Sequence, residues 1–433
     1  RFALSRMKEW KENENRKPLI IRGARQVGKT WIMKTFGQQY FEKTAYVNFD
    51  NNARMKQVFE GDLDIERLVL AISAETGVSI EAENTLIIFD EVQEVPKALT
   101  SLKYFYENAP QYAIVAAGSL LGVALHQGTS FPVGKVDFLD LYPLNFREFL
   151  CAMGEKQFVS MLDSCDTQMV TVFKTKYIER LREYYFVGGM PEVVKDFSEK
   201  KDYNRVRAIQ KNLINYYQQD FSKHAEIKLV PRLNLVWNSI PMQLAKENKK
   251  YIYGQVREGS RAKDFELAIQ WLLDCGLIHK VQRIQKPDLP LKAYIDFDAF
   301  KLFLVDIGLL IAMTDLDAKV IIEGNKIFTE FKGALTEQYI LQQLISDVGV
   351  IPYYYSTQNS KGEIDFLVQG KTSVIPIEVK AEENLKAKSL KAFCEKYQPS
   401  YAVRTSMSDY REQDWMTNIP LYAVKWIKNY VNQ

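Results

Sequence analysis

The sequence predicts an α/β fold with a parallel sheet in its first 150 residues, and two observations predict it. Between residues 18 and 150, short apolar runs alternate with amphipathic stretches, as is typical of strands covered by helices on both faces. A glycine-rich loop with a lysine follows the first of these runs. The predicted strands are Leu19–Arg22, Thr44–Asp50, Thr85–Glu91, Tyr112–Ser119 and Val136–Leu141.

The glycine-rich loop fits the pattern G-x-x-x-x-G-K-[ST] in full. Small glycines let backbone N–H groups curl around phosphates, and the N-terminus of the next helix adds the positive end of its dipole. Lys29 is expected to reach the β- and γ-phosphates, and the Thr30 hydroxyl is expected to bind Mg²⁺. The alternative is a glycine-rich turn with a solvated lysine. The predicted phosphate-binding residues are Gly23, Ala24, Arg25, Gln26, Val27, Gly28, Lys29 and Thr30.

An apolar strand that ends in two carboxylates, Asp90 and Glu91, is the second motif. Asp90 at the strand tip is placed to hold Mg²⁺ through water. Glu91 beside it would orient and polarise an attacking water, as nucleotide hydrolysis requires. Adjacent acids also occur as a solvated strand end, but the phosphate loop some 60 residues upstream favours the nucleotide site.

The predicted strand Tyr112–Ser119 ends in a small polar side chain. In an AAA-type site, the strand between the phosphate loop and the acidic strand presents such a side chain to the γ-phosphate. Ser119 is therefore the candidate sensor. The alternative is that Ser119 caps the helix that follows.

Together these motifs resemble the prokaryotic AAA-like ATPase family, whose members carry an additional C-terminal domain of unassigned function. The resemblance implies an ATPase with ATP and Mg²⁺ as cofactors. Its sites are often completed by a neighbouring subunit, which makes a homo-oligomer an expectation. Residues 184–192 resemble the family's helical lid. The segments that carry the resemblance are 18–30, 89–93, 118–119, 143–150 and 184–192.

One departure from the family concerns the arginine finger. Some relatives have an arginine where this chain has Gly134 and Lys135. A lysine there neutralises charge but lacks the bidentate fork of an arginine. Arg25 and Arg147 are the alternatives, either as a finger or as structural residues.

Composition limits the function classes. With 433 residues the chain is long enough for two to four domains. Its 57 Lys+Arg against 54 Asp+Glu argue against a strongly basic coat on nucleic acid. Residues 201–320 hold 19 basic and 14 acidic side chains, so a local nucleic-acid contact stays open. The four cysteines and three histidines are scattered, which indicates neither a disulfide framework nor a zinc site.

The most apolar stretch runs from Phe300 to Met313 and contains Lys301 and Asp306. A transmembrane helix needs roughly 20 apolar residues, so these 14 residues predict a buried helix. We therefore expect no membrane partner and a cytoplasmic location.

The middle of the chain has the order of a winged helix. A predicted helix over 262–275 is followed by β-like runs at 277–284 and 293–297. Arg261 and Lys263 are offset by nearby acids, so the alternative is a winged helix that serves as a protein–protein spacer rather than a DNA reader.

The last hundred residues predict a helix at 329–344, strands at 351–355, 363–368, 373–380 and 400–404, and a helix at 385–397. Strand periodicity puts Glu378 and Lys380 on one face, and Asp365 on the neighbouring strand can join them. Two carboxylates and a lysine form a Mg²⁺ site able to activate water against a phosphodiester. Glu337, from the preceding helix, would be a further ligand.

This arrangement resembles the PD-(D/E)xK restriction-endonuclease-like fold, to which the family's C-terminal domain is thought to belong. The E-x-K pattern alone is weak, because several other positions satisfy it. The alternative is an ion pair between Glu378 and Lys380 at a sheet edge.

The predicted domains are an AAA-like P-loop ATPase with helical lid at 1–200, a winged-helix connector at 201–325 and a nuclease-like domain at 326–433. The first functional hypothesis is a Mg²⁺-dependent ATPase coupled to a nuclease-like domain that acts on DNA. The second is a nucleotide-switched protein whose C-terminal domain binds a partner or DNA without cleaving it. A DNA motor is a third hypothesis, which the weakly basic surface argues against.

Overall fold

The computed structural model describes residues 1–118, 131–246, 249–322, 329–357, 362–382 and 387–433. The chain packs as two compact units. The first contains residues 1–142 and 274–277, and the second contains 143–273 and 278–433. Among the helices of the described ranges, none is long and apolar enough to cross a bilayer.

The first unit contains a parallel sheet that confirms every strand predicted for this region, with each end within two residues. Within the described residues the strand order is β2-β3-β4-β1-β5, and all pairs are parallel. The strand β4 therefore lies between the strand before the phosphate loop and the acidic strand. The strands are β1 (Leu19–Arg22), β2 (Lys43–Asn48), β3 (Thr85–Asp90), β4 (Ala113–Ala117) and β5 (Asp137–Asp140).

Helices cover the strands of the first unit, and local sequence explains several of their starts. The Asp64 carboxylate accepts a hydrogen bond from Arg67 N, 2.9 Å away, and so caps α4. Pro96 occupies the first turn of α5, where its missing N–H costs nothing. The helices are α1 (Ala3–Glu12), α2 (Lys29–Tyr40), α3 (Ala53–Glu60), α4 (Ile65–Thr76) and α5 (Pro96–Asn108).

The core of the first unit lies between the sheet and these helices. Phe49, Phe59 and Phe89 pack edge to face, with ring centroids 5.4–5.6 Å apart. Such pairs add about 1 kcal/mol each to the free energy gained by burial. This packing fixes the carboxyl end of β3, where the two predicted site carboxylates lie.

The second unit contains a mixed sheet, which the described residues form with the order β12-β13-β11-β10-β9-β8-β6-β7. It confirms the strands predicted for the last hundred residues. The strands are β6 (Ile278–Ile284), β7 (Ile295–Leu304), β8 (Tyr353–Ser356), β9 (Glu363–Gln369), β10 (Val374–Val379), β11 (Val403–Ser406), β12 (Arg411–Gln413) and β13 (Met416–Pro420).

Helices make up the rest of the second unit. Two of them, α17 and α18, confirm the helices predicted for 329–344 and 385–397. The helices are α6 (Phe146–Ala152), α7 (Lys156–Asp163), α8 (Thr167–Val172), α9 (Lys174–Val187), α10 (Pro191–Lys200), α11 (Tyr203–His224), α12 (Val230–Leu244), α13 (Tyr253–Val256), α14 (Ala262–Asp274), α15 (Ile307–Met313), α16 (Ala318–Ile322), α17 (Thr329–Gln343), α18 (Lys388–Tyr397) and α19 (Ile427–Val431).

The helix predicted over Phe300–Met313 is wrong in its first half. Residues up to Leu304 belong to β7, and the helix α15 begins at Ile307. Asp306 ends the strand and caps the helix, because its Oδ1 accepts a hydrogen bond from Leu309 N at 3.2 Å. A continuous apolar run fits a buried strand as well as a buried helix, so hydrophobicity alone could not separate the two.

The helix–strand–strand order predicted as a winged helix is present as α14, β6 and β7. Its two strands pair antiparallel with each other, and β6 also pairs parallel with β8. The two strands are therefore part of the second unit's sheet rather than a free wing. The winged-helix assignment stays a prediction.

The segment predicted to be the lid contains a buried polar junction within the second unit. Gly189 N donates to Asp306 Oδ2 at 2.6 Å, and Gln342 Nε2 donates to the same oxygen at 3.2 Å. Burial raises the pKa of Asp306 to about 6, and the hydrogen bonds oppose that rise. Gly188 has φ +73, and a Cβ there would lie 2.2 Å from Asp306 Oδ1. Glycine at 188 is thus needed for close approach to Asp306, and glycine at 189 for close approach to the backbone of Leu144, whose carbonyl oxygen would lie 2.1 Å from an added Cβ.

The predicted division at 200 and 325 stays a prediction about domains. Residues 143–200 pack in the second unit, although the prediction assigned them to the ATPase domain. The strands β6 and β7 come from the predicted connector, yet they join the same sheet as the strands of the predicted C-terminal domain.

Replacing Gly188 by alanine should destabilise the second unit strongly. The left-handed φ and the clash with Asp306 and the backbone of Gly308 should together cost about 3 kcal/mol or more. Gly154 is the matched control, since its φ is +82 but no atom lies within 4 Å of the added Cβ. Gly154→Ala should cost only about 1 kcal/mol. Urea unfolding of both variants checks this, and equal midpoints would contradict it.

Candidate functional site

The predicted phosphate-binding residues form the turn from β1 into α2. Positive φ angles occur at Gly23 (+146), Gln26 (+63) and Gly28 (+94). A Cβ at Gly23 would lie 2.1 Å from the carbonyl oxygen of Leu141. Glycine is therefore required at this position by close backbone approach as well as by its φ.

Lys29 is buried beneath this loop. Its ammonium donates to the carbonyl oxygens of Gly23 (2.9 Å) and Ala24 (2.8 Å). Burial lowers the pKa of Lys29 to about 8, although Glu91 and Asp90 oppose the shift. A phosphate anion at the loop would supply the negative charge that this partly desolvated ammonium lacks.

Thr30 and Asp90 contact each other at the end of the sheet. Thr30 Oγ1 donates to Asp90 Oδ2 at 2.7 Å, and Glu91 N donates to Asp90 Oδ1 at 3.1 Å. A hydroxyl and a carboxylate oxygen are hard ligands of the kind that Mg²⁺ prefers. Thr30 and Asp90 therefore fit the predicted Mg²⁺ ion, and they are the residues that would hold it.

Tyr46 is a residue that sequence reasoning missed. Its hydroxyl donates to Asp90 Oδ2 at 2.9 Å, alongside Thr30. Burial first, and then the charge of Asp90, raise the pKa of Tyr46, so its phenol stays a donor. The one hint in the sequence is that Tyr46 lies in the predicted strand Thr44–Asp50. Its contact with Asp90 arises because β2 pairs with the acidic strand β3.

Glu91 follows Asp90 with φ +51, in the left-handed region. Gln93 Nε2 donates to Glu91 Oε2 at 2.7 Å. The carboxylate is half-buried and lies at the same end of the sheet as Lys29, whose pKa it raises. Ser119, the candidate sensor, lies outside the described residues, although β4 has the position between β1 and β3 that the prediction requires.

The candidate fingers have partners of their own. Lys135 Nζ lies 3.0 Å from Glu107 Oε1. Arg147 is buried in the second unit and forms ion pairs with Asp163 and Asp347, the latter at 2.8 Å. These ion pairs favour a structural role for Arg147 over the role of an arginine finger. Arg25 is half-buried in the phosphate loop, where its charge contributes to lowering the pKa of Lys29.

The four residues predicted as a nuclease-like site come together in the second unit. Asp365 on β9 accepts a hydrogen bond from Val379 N at 2.7 Å, and Lys380 Nζ lies 2.6 Å from Glu378 Oε1. Burial first, and then repulsion from Glu337 and Glu378, raise the pKa of Asp365 well above its usual range. Their mutual effect on Asp365 places these carboxylates within electrostatic reach of one another.

Two lysines that sequence reasoning missed belong to the same place. Lys301 on β7 lies 2.5 Å from Glu363 Oε1 and 3.6 Å from Glu337 Oε2, and its side chain is fully buried. Lys249 forms an ion pair with Glu337 Oε1. The one sequence signal was Lys301 itself, since a lysine inside an apolar run needs a carboxylate partner when it is buried.

Within the described part of the chain, the residues predicted as metal ligands of this second site do not form a group that could hold an ion. Among the described residues, no three or more His, Cys, Asp or Glu side chains are arranged so that they could hold a metal ion. Glu337 and Glu378 are instead paired with lysines. Whether these residues form a nuclease site stays a prediction.

Three family models match successive parts of the chain. Residues 15–150 match an AAA domain. Residues 178–320 and 332–424 match two domains of unknown function, DUF8612 and DUF4143. Residues 15–150 form an AAA-like ATPase domain. This AAA domain contains the phosphate loop, Asp90, Glu91 and Tyr46.

Solved structures give weaker likenesses. The Walker-type ATPase PABY2304 of Pyrococcus abyssi is 14% identical, with a TM-score of 0.44 over 72% of this chain and 94% of its own. The Aeropyrum pernix ORC1 protein, solved with DNA, is 13% identical, with a TM-score of 0.27 over 72% and 91%. Cdc6p from Pyrobaculum aerophilum is 10% identical, with a TM-score of 0.25 over 72% and 92%. These TM-scores are too low to transfer a function. No curated protein matches the chain.

The lowered pKa of Lys29 predicts proton uptake when a nucleotide binds. In the free protein its pKa is about 8, and a phosphate should raise it again by favouring the ammonium form. Uptake should be about a tenth of a proton at pH 7 and close to one proton at pH 9. Titration calorimetry in buffers of different ionisation enthalpy measures it.

Two variants test the assignment to Lys29. Lys29→Arg should abolish the uptake at pH 9, because a guanidinium stays charged there. Lys56→Met, at an exposed lysine of α3, should leave the uptake unchanged. Undiminished uptake in Lys29→Arg would show that another group takes up the proton.

Proposed function

We propose that this protein binds Mg·ATP in its AAA domain and hydrolyses it. The observation that carries the proposal is the 2.7 Å hydrogen bond between Thr30 Oγ1 and Asp90 Oδ2. It joins the two motifs that a Mg²⁺-dependent nucleotide site needs, at the end of the sheet where the phosphate loop lies. The matching AAA family model supports the same function.

Each residue has a role in this proposal. Backbone N–H groups of residues 23–30 bind the phosphates, and Lys29 neutralises the β- and γ-oxygens. Thr30 and Asp90 hold Mg²⁺, which draws charge from the leaving phosphate oxygens when it is bound. Tyr46 keeps Asp90 in place through its 2.9 Å hydrogen bond. Glu91 orients the attacking water, and Ser119 contacts the γ-phosphate.

Replacing Glu91 by glutamine should lower the rate of ATP hydrolysis by about 100-fold or more, because the amide cannot polarise the water as a carboxylate does. Binding of a fluorescent ATP analogue should be retained, since Glu91 is not assigned to the phosphates. Glu94→Gln, an exposed acid three residues on, is the matched control. A Glu91→Gln protein that hydrolyses ATP as fast as wild type would disprove the role.

For the second unit, we propose that it binds a partner or DNA without cleaving it, under the control of ATP occupancy. Coupling to an active nuclease is the alternative, and it rests on the placement of Glu337, Asp365, Glu378 and Lys380. The lysine partners of Glu337 and Glu378 favour the non-cleaving function, since they already supply positive charge that a metal ion would otherwise supply.

A nuclease assay with Mg²⁺ or Mn²⁺ distinguishes these alternatives. The wild-type protein should cleave single-stranded DNA, duplex DNA and RNA no faster than Asp365→Ala or Lys380→Ala. Cleavage by wild type that both substitutions abolish would establish the nuclease and overturn the non-cleaving proposal. Lys396→Ala, on α18, controls for the loss of a lysine as such.

The same proposal can be tested for whether nucleic acid is the partner. The ATPase rate with and without DNA and RNA separates a DNA-stimulated motor from a switch, because only the motor requires the nucleic acid for turnover. We also propose that a neighbouring subunit of the homo-oligomer expected from the family resemblance supplies the arginine finger, because Arg147 is already paired with Asp163 and Asp347.

A further inference from the structure

The second unit buries an unusual set of charges. Four carboxylates and three lysines lie together, and we refer to them as the carboxylate–lysine cluster. They come from segments far apart in sequence, including β7, α17, β9 and the end of β10. The members are Glu337, Glu363, Asp365 and Glu378 with Lys249, Lys301 and Lys380.

Lys301 is the central cation of this cluster. Its side chain is fully buried, its Nζ lies 2.5 Å from Glu363 and 3.6 Å from Glu337, and it lies 4.8 Å from the centre of the Tyr354 ring. Carboxylates and an aromatic face both attract an ammonium group. Because Lys301 is buried within a sheet strand, it cannot swing into solvent and leave the carboxylates.

The net negative charge of the carboxylate–lysine cluster is small. With every group ionised, three lysines leave the four carboxylates a net charge of about −1. A divalent cation held by protein oxygens needs several carboxylates that are not already neutralised. Adding such a cation beside the buried Lys301 would also bring like charges together in a poorly solvated place, which is energetically unfavourable.

The cluster nevertheless keeps two oxygens without a hydrogen-bond partner, Glu337 Oε2 and Glu378 Oε2. Both side chains are about 95% buried. Unpaired carboxylate oxygens are the groups that would ligate a cation if the lysine charge were removed. The cluster therefore has the ligands of a metal site together with cations that compete for them.

We propose that Lys301 and Lys249 are built-in cations that take the place of the divalent ion which a nuclease of this type requires. The carboxylate–lysine cluster is then a metal-free ionic core that holds β7, α17, β9 and β10 together. This inference deepens the non-cleaving role proposed for the second unit and rests on it in part. It does not depend on ATP hydrolysis.

The experiment is a Mn²⁺ titration of the full-length, nucleotide-free chain, followed by electron paramagnetic resonance of the free ion. Wild type should bind Mn²⁺ only at sites that Asp90→Asn removes and Asp365→Asn leaves. Lys301→Met should gain one further Mn²⁺ site, tighter by at least about 10-fold than any cluster binding in wild type, because it loses the competing charge. The double variant Lys301→Met with Asp365→Asn should lose that site again.

Two further variants keep the test decisive. Lys301→Arg retains the charge and should gain no Mn²⁺ site. If Lys301→Met does not fold by circular dichroism, Lys249→Met should show the same gain, because that side chain is 14% exposed and paired with Glu337 alone in the cluster.

Two results would overturn the inference. One is wild-type Mn²⁺ binding that Asp365→Asn abolishes. The other is a folded Lys301→Met or Lys249→Met protein that gains no site. The first result without nucleic-acid cleavage would leave the non-cleaving function standing, whereas cleavage by wild type would end both proposals.

Discussion

Charged side chains that are removed from water must be given partners, and both units of this protein are organised by that constraint. In the AAA domain, backbone carbonyls hold the Lys29 ammonium while two hydroxyls hold the Asp90 carboxylate. In the second unit, backbone N–H groups and an amide hold Asp306. The ends of strands and the starts of helices therefore lie where their polar groups can pair with a buried charge. Apolar side chains pack around these positions.

The strands of the AAA domain could be predicted from the sequence, because their signals are local. The phosphate loop is a contiguous motif, and the acidic strand announces itself by apolar residues followed by Asp90 and Glu91. Tyr46 could not be predicted, because its contact with Asp90 arises from the pairing of β2 with β3, and pairing between strands is not written in either strand alone.

The second unit was harder to predict for the same physical reason. Its strands can be found from their alternation, but Phe300–Leu304 is buried on both faces, so it lacks the alternation that separates a strand from a helix. The membership of Lys301 and Lys249 in the cluster cannot be predicted from the sequence, because no motif identifies the carboxylate that pairs with a given lysine. Their place follows only from the sheet order, which brings β7 and β8 to the same sheet as β9 and β10.

That sheet order has a consequence for how the chain acquires its structure. The hairpin β6–β7 leaves the ribosome before β8, the strand that pairs with its β6 edge. Until then β6 presents unpaired backbone groups, which is the condition under which nascent chains associate wrongly. The β6–β8 pairing joins Arg283 to Tyr354, which are far apart in sequence, so closing it is entropically slow. Joining the β6–β7 hairpin to the rest of the second unit's sheet is therefore the step that has to wait for β8.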